Sequence, residues 1–175
     1  MKHSSAVNVA SDRKPQIVIG GSVIKYVDSW PHLGHIITSS NDDNLDILNR
    51  RNSLCGQIND VLCQFGGLGP VTKLRLLKAY CSSYYGCELW DLSCNAVDDF
   101  CIMWRKGLRR VWGLPKNTHR FLLAPLCATI PIMDELCRRS CNFINVCLSS
   151  DCSLISFVAR QGIFYSRMAS PLLRP

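Results

Sequence analysis

No stretch of this chain is apolar for long enough to span a bilayer, which takes about eighteen residues or more. Met1 to Lys14 is polar and lacks the apolar segment of a secretory signal. The eleven cysteines contain no Cys-x2-Cys pair; the closest, Cys137 and Cys141, sit four apart in a helical pattern, and only four histidines could join them. Structural zinc calls for paired ligands at short spacing, and an odd cysteine count in a chain without a signal does not suggest a disulfide framework. The cysteines are therefore expected to be small buried hydrophobes in a reducing compartment, cytoplasm or nucleus. There is no Ser/His/Asp grouping, no Gly-rich phosphate loop and no His-Glu-x-x-His motif, and nothing local marks a cysteine as nucleophile. No catalytic residue, metal site or cofactor is expected, and no internal repeat is present.

What is present supports a folded core. Hydrophobic residues make up 47% of 175, with a mean hydropathy of +0.08, and a chain of this size can bury roughly 70% of its unfolded surface. The net charge of +7 is unevenly placed. Residues 1–70 carry six basic and six acidic side chains, whereas residues 71–175 carry fourteen and seven. Within the second part Arg105, Lys106, Arg109, Arg110, Lys116 and Arg120 fall in sixteen residues without one acid, a cluster that attracts polyanions.

Taken in order, residues 1–15 are polar and without periodicity, and are expected to be loose. Residues 16–44 predict a β element. Ile17 to Ile19 and Val23 to Val27 flank Gly20-Gly21, a hairpin with a two-residue turn, and Trp30 to Thr38 predicts a third strand with Pro31 at its edge and Gly34 permitting close approach. Asp42-Asp43 in the following polar loop fits a helix cap better than an acid-base pair. Residues 45–150 predict a helical bundle. A first helix over Leu45 to Phe65, with Leu48, Leu54 or Cys55, Ile58, Leu62 and Phe65 near one face, stops at Gly66-Gly67-Leu68-Gly69-Pro70. Lys73 to Tyr85 predicts a basic helix whose stripe is Leu74, Leu77, Cys81 and Tyr84, with Gly86 breaking it. The strongest pattern is Val97, Phe100, Cys101, Trp104, Leu108, Val111 and Trp112, capped by Asn95 and stopped by Gly113 and Pro115. Acids at its start and Arg109 and Arg110 at its end suit the helix dipole, though dipole pairing does not need six basic residues in sixteen. Phe121 to Cys127 suggests a helical turn, Pro125 and Pro131 a connector, and Ile132 to Leu148 a further helix. Residues 151–175 hold a last helix, Ser153 to Met168, and a tail. The fold class is thus mainly α, a short β-hairpin or three-strand element followed by a thumb-like helical bundle.

The order of these parts resembles the end of the polymerase domain in reverse transcriptases of non-LTR (LINE-type) retrotransposons. The residues that carry the likeness are Trp30-Pro31-His32-Leu33-Gly34, the pair Arg50-Arg51, the Lys-x-x-Leu-Leu helix, Tyr85-Gly86-Cys87-Glu88-Leu89-Trp90, Leu108-Arg109-Arg110-Val111-Trp112-Gly113-Leu114-Pro115, and Ile130-Pro131-Ile132. The likeness covers about residues 16–148. It implies that Trp30, Leu33 and Gly34 belong to a primer-grip-like strand and that the helices after it correspond to thumb and linker. It also exposes a departure. The family's metal-holding carboxylates lie upstream of the Leu-Gly strand, and neither motif that carries them occurs here; Asn41-Asp42-Asp43-Asn44 comes after that strand.

Two functions compete. The first is a truncated piece of such an RNA-directed DNA polymerase, not an enzyme by itself, keeping a weak, sequence-nonspecific grip on RNA/DNA duplex or hybrid backbone through Arg105, Lys106, Arg109, Arg110, Lys116 and Arg120, with Lys73 and Lys78 as lesser contacts. In it, the tryptophans Trp104 and Trp112 are core and not stacking platforms. The second is a helical module whose apolar stripes dock a protein, for instance a polymerase palm supplied by another chain.

Overall fold

Two glycines in succession decide how the described chain begins. The computed structural model describes residues 16–81 and 84–166. Gly20 and Gly21 take φ of +57° and +80°, the left-handed pair that a two-residue hairpin turn requires, and join β1 (Ile17–Ile19) to β2 (Ser22–Ile24) with Ile19 opposite Ser22. The single strand expected over Trp30 to Thr38 is instead a second hairpin. Leu33 and Gly34, at φ of +48° and +82°, turn β3 (Ser29–His32) into β4 (His35–Thr38). Here Gly34 serves the turn, a role that the run of β-branched residues around it concealed. The hairpins are separate two-stranded sheets, not one three-strand element. Pro31 faces Ile36, the pair next to the one flanking the turn. In such a ladder that pair exchanges no hydrogen bonds, so the missing proline N–H costs nothing and the Ile36 N–H points away from β3.

Every described residue after these hairpins is in a helix or connects helices, and the protein is mainly α. The helices are α1 (Asn44–Gln64), α2 (Pro70–Cys81), α3 (Asn95–Val111), α4 (Arg120–Cys127), α5 (Ile132–Leu148) and α6 (Ser153–Ser166), with a 3-10 turn over Cys87–Leu89 between α2 and α3. The face α1 buries is Ile47, Leu54, Ile58 and Val61, one step round from the expected face; Leu48 is exposed, and Leu62 and Phe65 are only partly covered. Helix α2 begins on Pro70, where a missing N–H is harmless, and ends at Cys81, so Tyr84 joins the core from an irregular segment and not from a helix. Asn95 is the first residue of α3 and Cys94, extended, is its cap; no side chain caps it. Pro125 lies inside α4, not in a connector, and the left-handed Ala128 ends that helix. The expected loose segment 1–15 and the tail 167–175, with the predicted end of the last helix at Met168, lie outside the described residues.

The core is the seam of α1, α2 and α3, closed by the segment between α2 and α3. Val97, Phe100, Cys101, Trp104, Leu108 and Val111 are all buried, as the periodicity of α3 predicts, while Trp112 packs against the core half-covered. Phe100 meets Tyr84 and Trp90 edge-on, each at 5.3 Å between centroids, and Tyr84 meets Trp104 at 5.8 Å. Edge-to-face pairs of this kind add about 0.5–1.5 kcal/mol each beyond burial, and they fasten a segment with no long helix of its own. Gly107 lets α1 and α3 approach closely: a Cβ there would lie 2.6 Å from Ile58 Cδ1. Cys81, Cys87, Cys101 and Cys127 are buried as expected, and burial pushes the Cys87 thiol up to about 12 and the Cys101 thiol to about 11. Cys63, Cys137, Cys141 and Cys152 are exposed, contrary to the expectation, because they fall on outer helix faces and in the connector before α6.

Candidate nucleic-acid interface

Helix α3 has two faces with opposite chemistry. Opposite its buried stripe, Ile102, Arg105, Lys106, Arg109 and Arg110 recur at offsets of three, four, seven and eight and form an outer row. The chain then folds back over that row. Gly113, at φ +63°, lets its N–H reach Arg110 O at 3.3 Å and the Leu114 N–H reach Arg109 O at 2.8 Å, a paired closure of the helix end. Arg109 fixes the returning loop by donating from Nε and Nη2 to Thr118 O at 3.1 and 2.8 Å.

The result is a groove of about 810 Å³ between α3 and the loop, and all six clustered basic residues line it: Arg105, Lys106, Arg109, Arg110, Lys116 and Arg120. No acid is on its wall. Arg109 and Arg110 are partly occupied, the first by Thr118 O and the second by Asn59 Oδ1 at 2.6 Å. Arg105, Lys106, Lys116 and Arg120 have no hydrogen bond or ion pair among the described residues; the Arg120 guanidinium lies 5.2 Å from the Phe121 ring centre. A groove of this kind can hold phosphates without reading bases.

The lesser candidates lie elsewhere. Lys78 Nζ donates to Cys127 O at 3.1 Å and Ala128 O at 3.4 Å, closing the C-terminal end of α4, where a cation suits the helix dipole. Lys73 Nζ reaches Gly66 O at 3.4 Å. Neither lines the groove. Leu33 and Gly34 form the tip of the second hairpin, with Leu33 78% exposed, whereas Trp30 lies back along β3 opposite Ile37. That tip is anchored from below, since Arg50 donates to Gly34 O and its guanidinium lies 5.8 Å from the Tyr85 ring centre. Arg51 pairs with Asp99 at 3.5 Å, near the surface.

A residue that composition did not single out organises this second region. Asp46, 0% exposed, accepts from Trp90 Nε1 at its Oδ2 at 2.9 Å and from the outward-pointing Ile36 N–H at its Oδ1 at 3.0 Å, while His35 Nδ1 lies 3.1 Å from the same Oδ2 without forming a hydrogen bond. Gly86, at φ +86°, sits where a Cβ would come within 3.2 Å of the same nitrogen. Asp43 takes the N-cap position of α1, but its carboxylate accepts from the Asp91 N–H at 2.8 Å instead of capping its own helix. Burial pushes the Asp43 carboxyl up from its ordinary value against the pull of that bond and of His35. Asp42 does serve the turn, accepting from the Asn44 N–H at 3.1 Å. The spacing of Asp43, Asp46 and Ile47 puts all three on one side of α1, but that spacing equally fits first-turn acids facing solvent, so the sequence carried no signal for this knot. Among the described residues no group of three or more His, Cys, Asp or Glu side chains is placed to hold a metal ion.

Fold and surface together define a mainly α protein with a basic groove on the outer face of its central helix. Comparison of the chain with protein-family models, curated proteins and solved structures finds no match. No helix among the described residues is long and apolar enough to cross a membrane.

Proposed function

We propose that this protein binds the sugar-phosphate backbone of nucleic acid, duplex or hybrid, without sequence preference, as a thumb-like module of the non-LTR reverse-transcriptase type. The observation that carries the reading is the single acid-free groove lined by all six clustered cations, four of them unpaired among the described residues. The ancestry draws support from how parts of the resembling segments meet: Gly34, Arg50 and Tyr85, distant in sequence, come together, and Trp90 binds Asp46 of the same helix as Arg50. Binding is expected to weaken steeply with salt, since each phosphate contact releases counterions. Lys106 and Lys116, both exposed, are the clean probes, because Arg109 also holds the loop. Replacing both by Gln should lower duplex affinity and reduce the slope of log affinity against log salt by about two. Filter binding across a salt series measures both, and unchanged affinity and slope would remove the assignment.

A second reading, a protein-docking module, is favoured by one observation. The apolar side chains of β1 and β2, Ile17, Val18, Ile19, Val23 and Ile24, are all exposed. The stripes of α1 to α3, by contrast, are spent on the core.

A further inference from the structure

The basic groove does not end at Arg120. Arg105 and Arg120 also form the wall of a second cleft, about 450 Å³, whose remaining lining is largely apolar, with Phe121, Ala124, Ile130 and Met133 among it. That volume lies within the roughly 300–1,000 Å³ of ligand pockets. Phe121 in this lining is 69% exposed, with the His119 ring tilted against it at 4.9 Å and 35° and the Arg120 guanidinium 5.2 Å from its centre. An exposed aromatic ring beside a basic groove offers a surface on which an unpaired base can stack. The cleft carries charge of both signs. Arg105 and Arg120 in its lining suit a phosphate, while Asp134, the one acid in that lining, accepts from amino groups.

We infer that this cleft takes one unpaired base of a nucleic-acid strand, stacked against Phe121, while Arg105 and Arg120 hold its phosphate and the backbone continues along the basic groove. The inference rests on the backbone-binding reading and adds a preference for a frayed end or overhang over a continuous duplex, because a paired base cannot leave its stack without cost.

The test uses the full chain, a short blunt duplex, and the same duplex with a single-stranded overhang containing 2-aminopurine. The overhang should raise affinity about tenfold, with a saturable change in 2-aminopurine fluorescence. Phe121→Ala, at an exposed position whose fold is checked by circular dichroism, should abolish that advantage and leave blunt-duplex affinity within about twofold. Lys106→Gln with Lys116→Gln should weaken both probes alike. Equal affinity of the native chain for the two probes, or equal weakening of both by Phe121→Ala, overturns the cleft while the groove stands. Failure to bind either probe at low salt overturns both.

Discussion

At the scale of the residue, Asp46 shows how much one polar side chain decides. Its two oxygens satisfy the indole of Trp90 and the backbone of Ile36, which come from segments far apart in the chain. Removing the carboxyl leaves both donors without this partner in a buried site, and each such loss costs about 1–3 kcal/mol. Asp46→Ala is therefore expected to destabilise by about 3 kcal/mol, and Asp46→Asn, which keeps one acceptor, by less. Urea unfolding followed by tryptophan fluorescence measures this; a loss below about 1 kcal/mol would show that water or a neighbour replaces the acceptor. Periodicity could not single out Asp46, since an acid in the first turn of a helix is ordinarily a solvated dipole partner. Only the arrival of β4 and Trp90 from outside makes it a core residue.

At the scale of the element, α3 is where pattern and structure agree most closely. A helix of 17 residues with apolar side chains every three or four positions has one way to sit, and its basic residues are left on the opposite face by the same geometry. The closeness of its packing was not legible. Gly107 is an unfavourable residue for a helix interior and is tolerated because Ile58 of α1 occupies the space a side chain would need. Gly107→Ala gains about 1 kcal/mol of helix propensity and loses about 1–3 kcal/mol to overpacking, so net destabilisation of about 1 kcal/mol is expected. Combining it with Ile58→Val, which removes the clashing methyl, should cost less than the sum of the single changes. Additive losses in chemical denaturation would mean that the two positions do not compete for the same space. The second hairpin was missed for the opposite reason: Leu33 adopts a left-handed conformation that a β-branched or aliphatic side chain rarely takes, so the turn had only Gly34 to announce it.

At the scale of the whole molecule, the structure divides into a covered helical core and an uncovered apolar ribbon. The first hairpin presents Ile19 at 66% and Val23 at 54% exposure on open strand edges, the kind of surface that pairs with another chain. If a protein partner is what this ribbon serves, the chain alone should self-associate as its concentration rises, and Ile19→Lys with Val23→Lys should return it to a monomer. Sedimentation velocity over a concentration series distinguishes the cases. A monomer at every concentration removes the docking reading and leaves the groove, on the far more basic α3 surface, as the functional one.

Local pattern determined which parts of this chain are helical, where α1 stops, and that its positive charge gathers between Arg105 and Arg120, because periodicity, turn chemistry and charge are properties of neighbours in sequence. Tertiary structure alone decided that those six cations share one groove, that Lys78 closes a helix instead of joining them, that Asp46 is buried, and that Phe121 stands beside the groove. These depend on which distant surfaces meet, and no spacing along the chain encodes that.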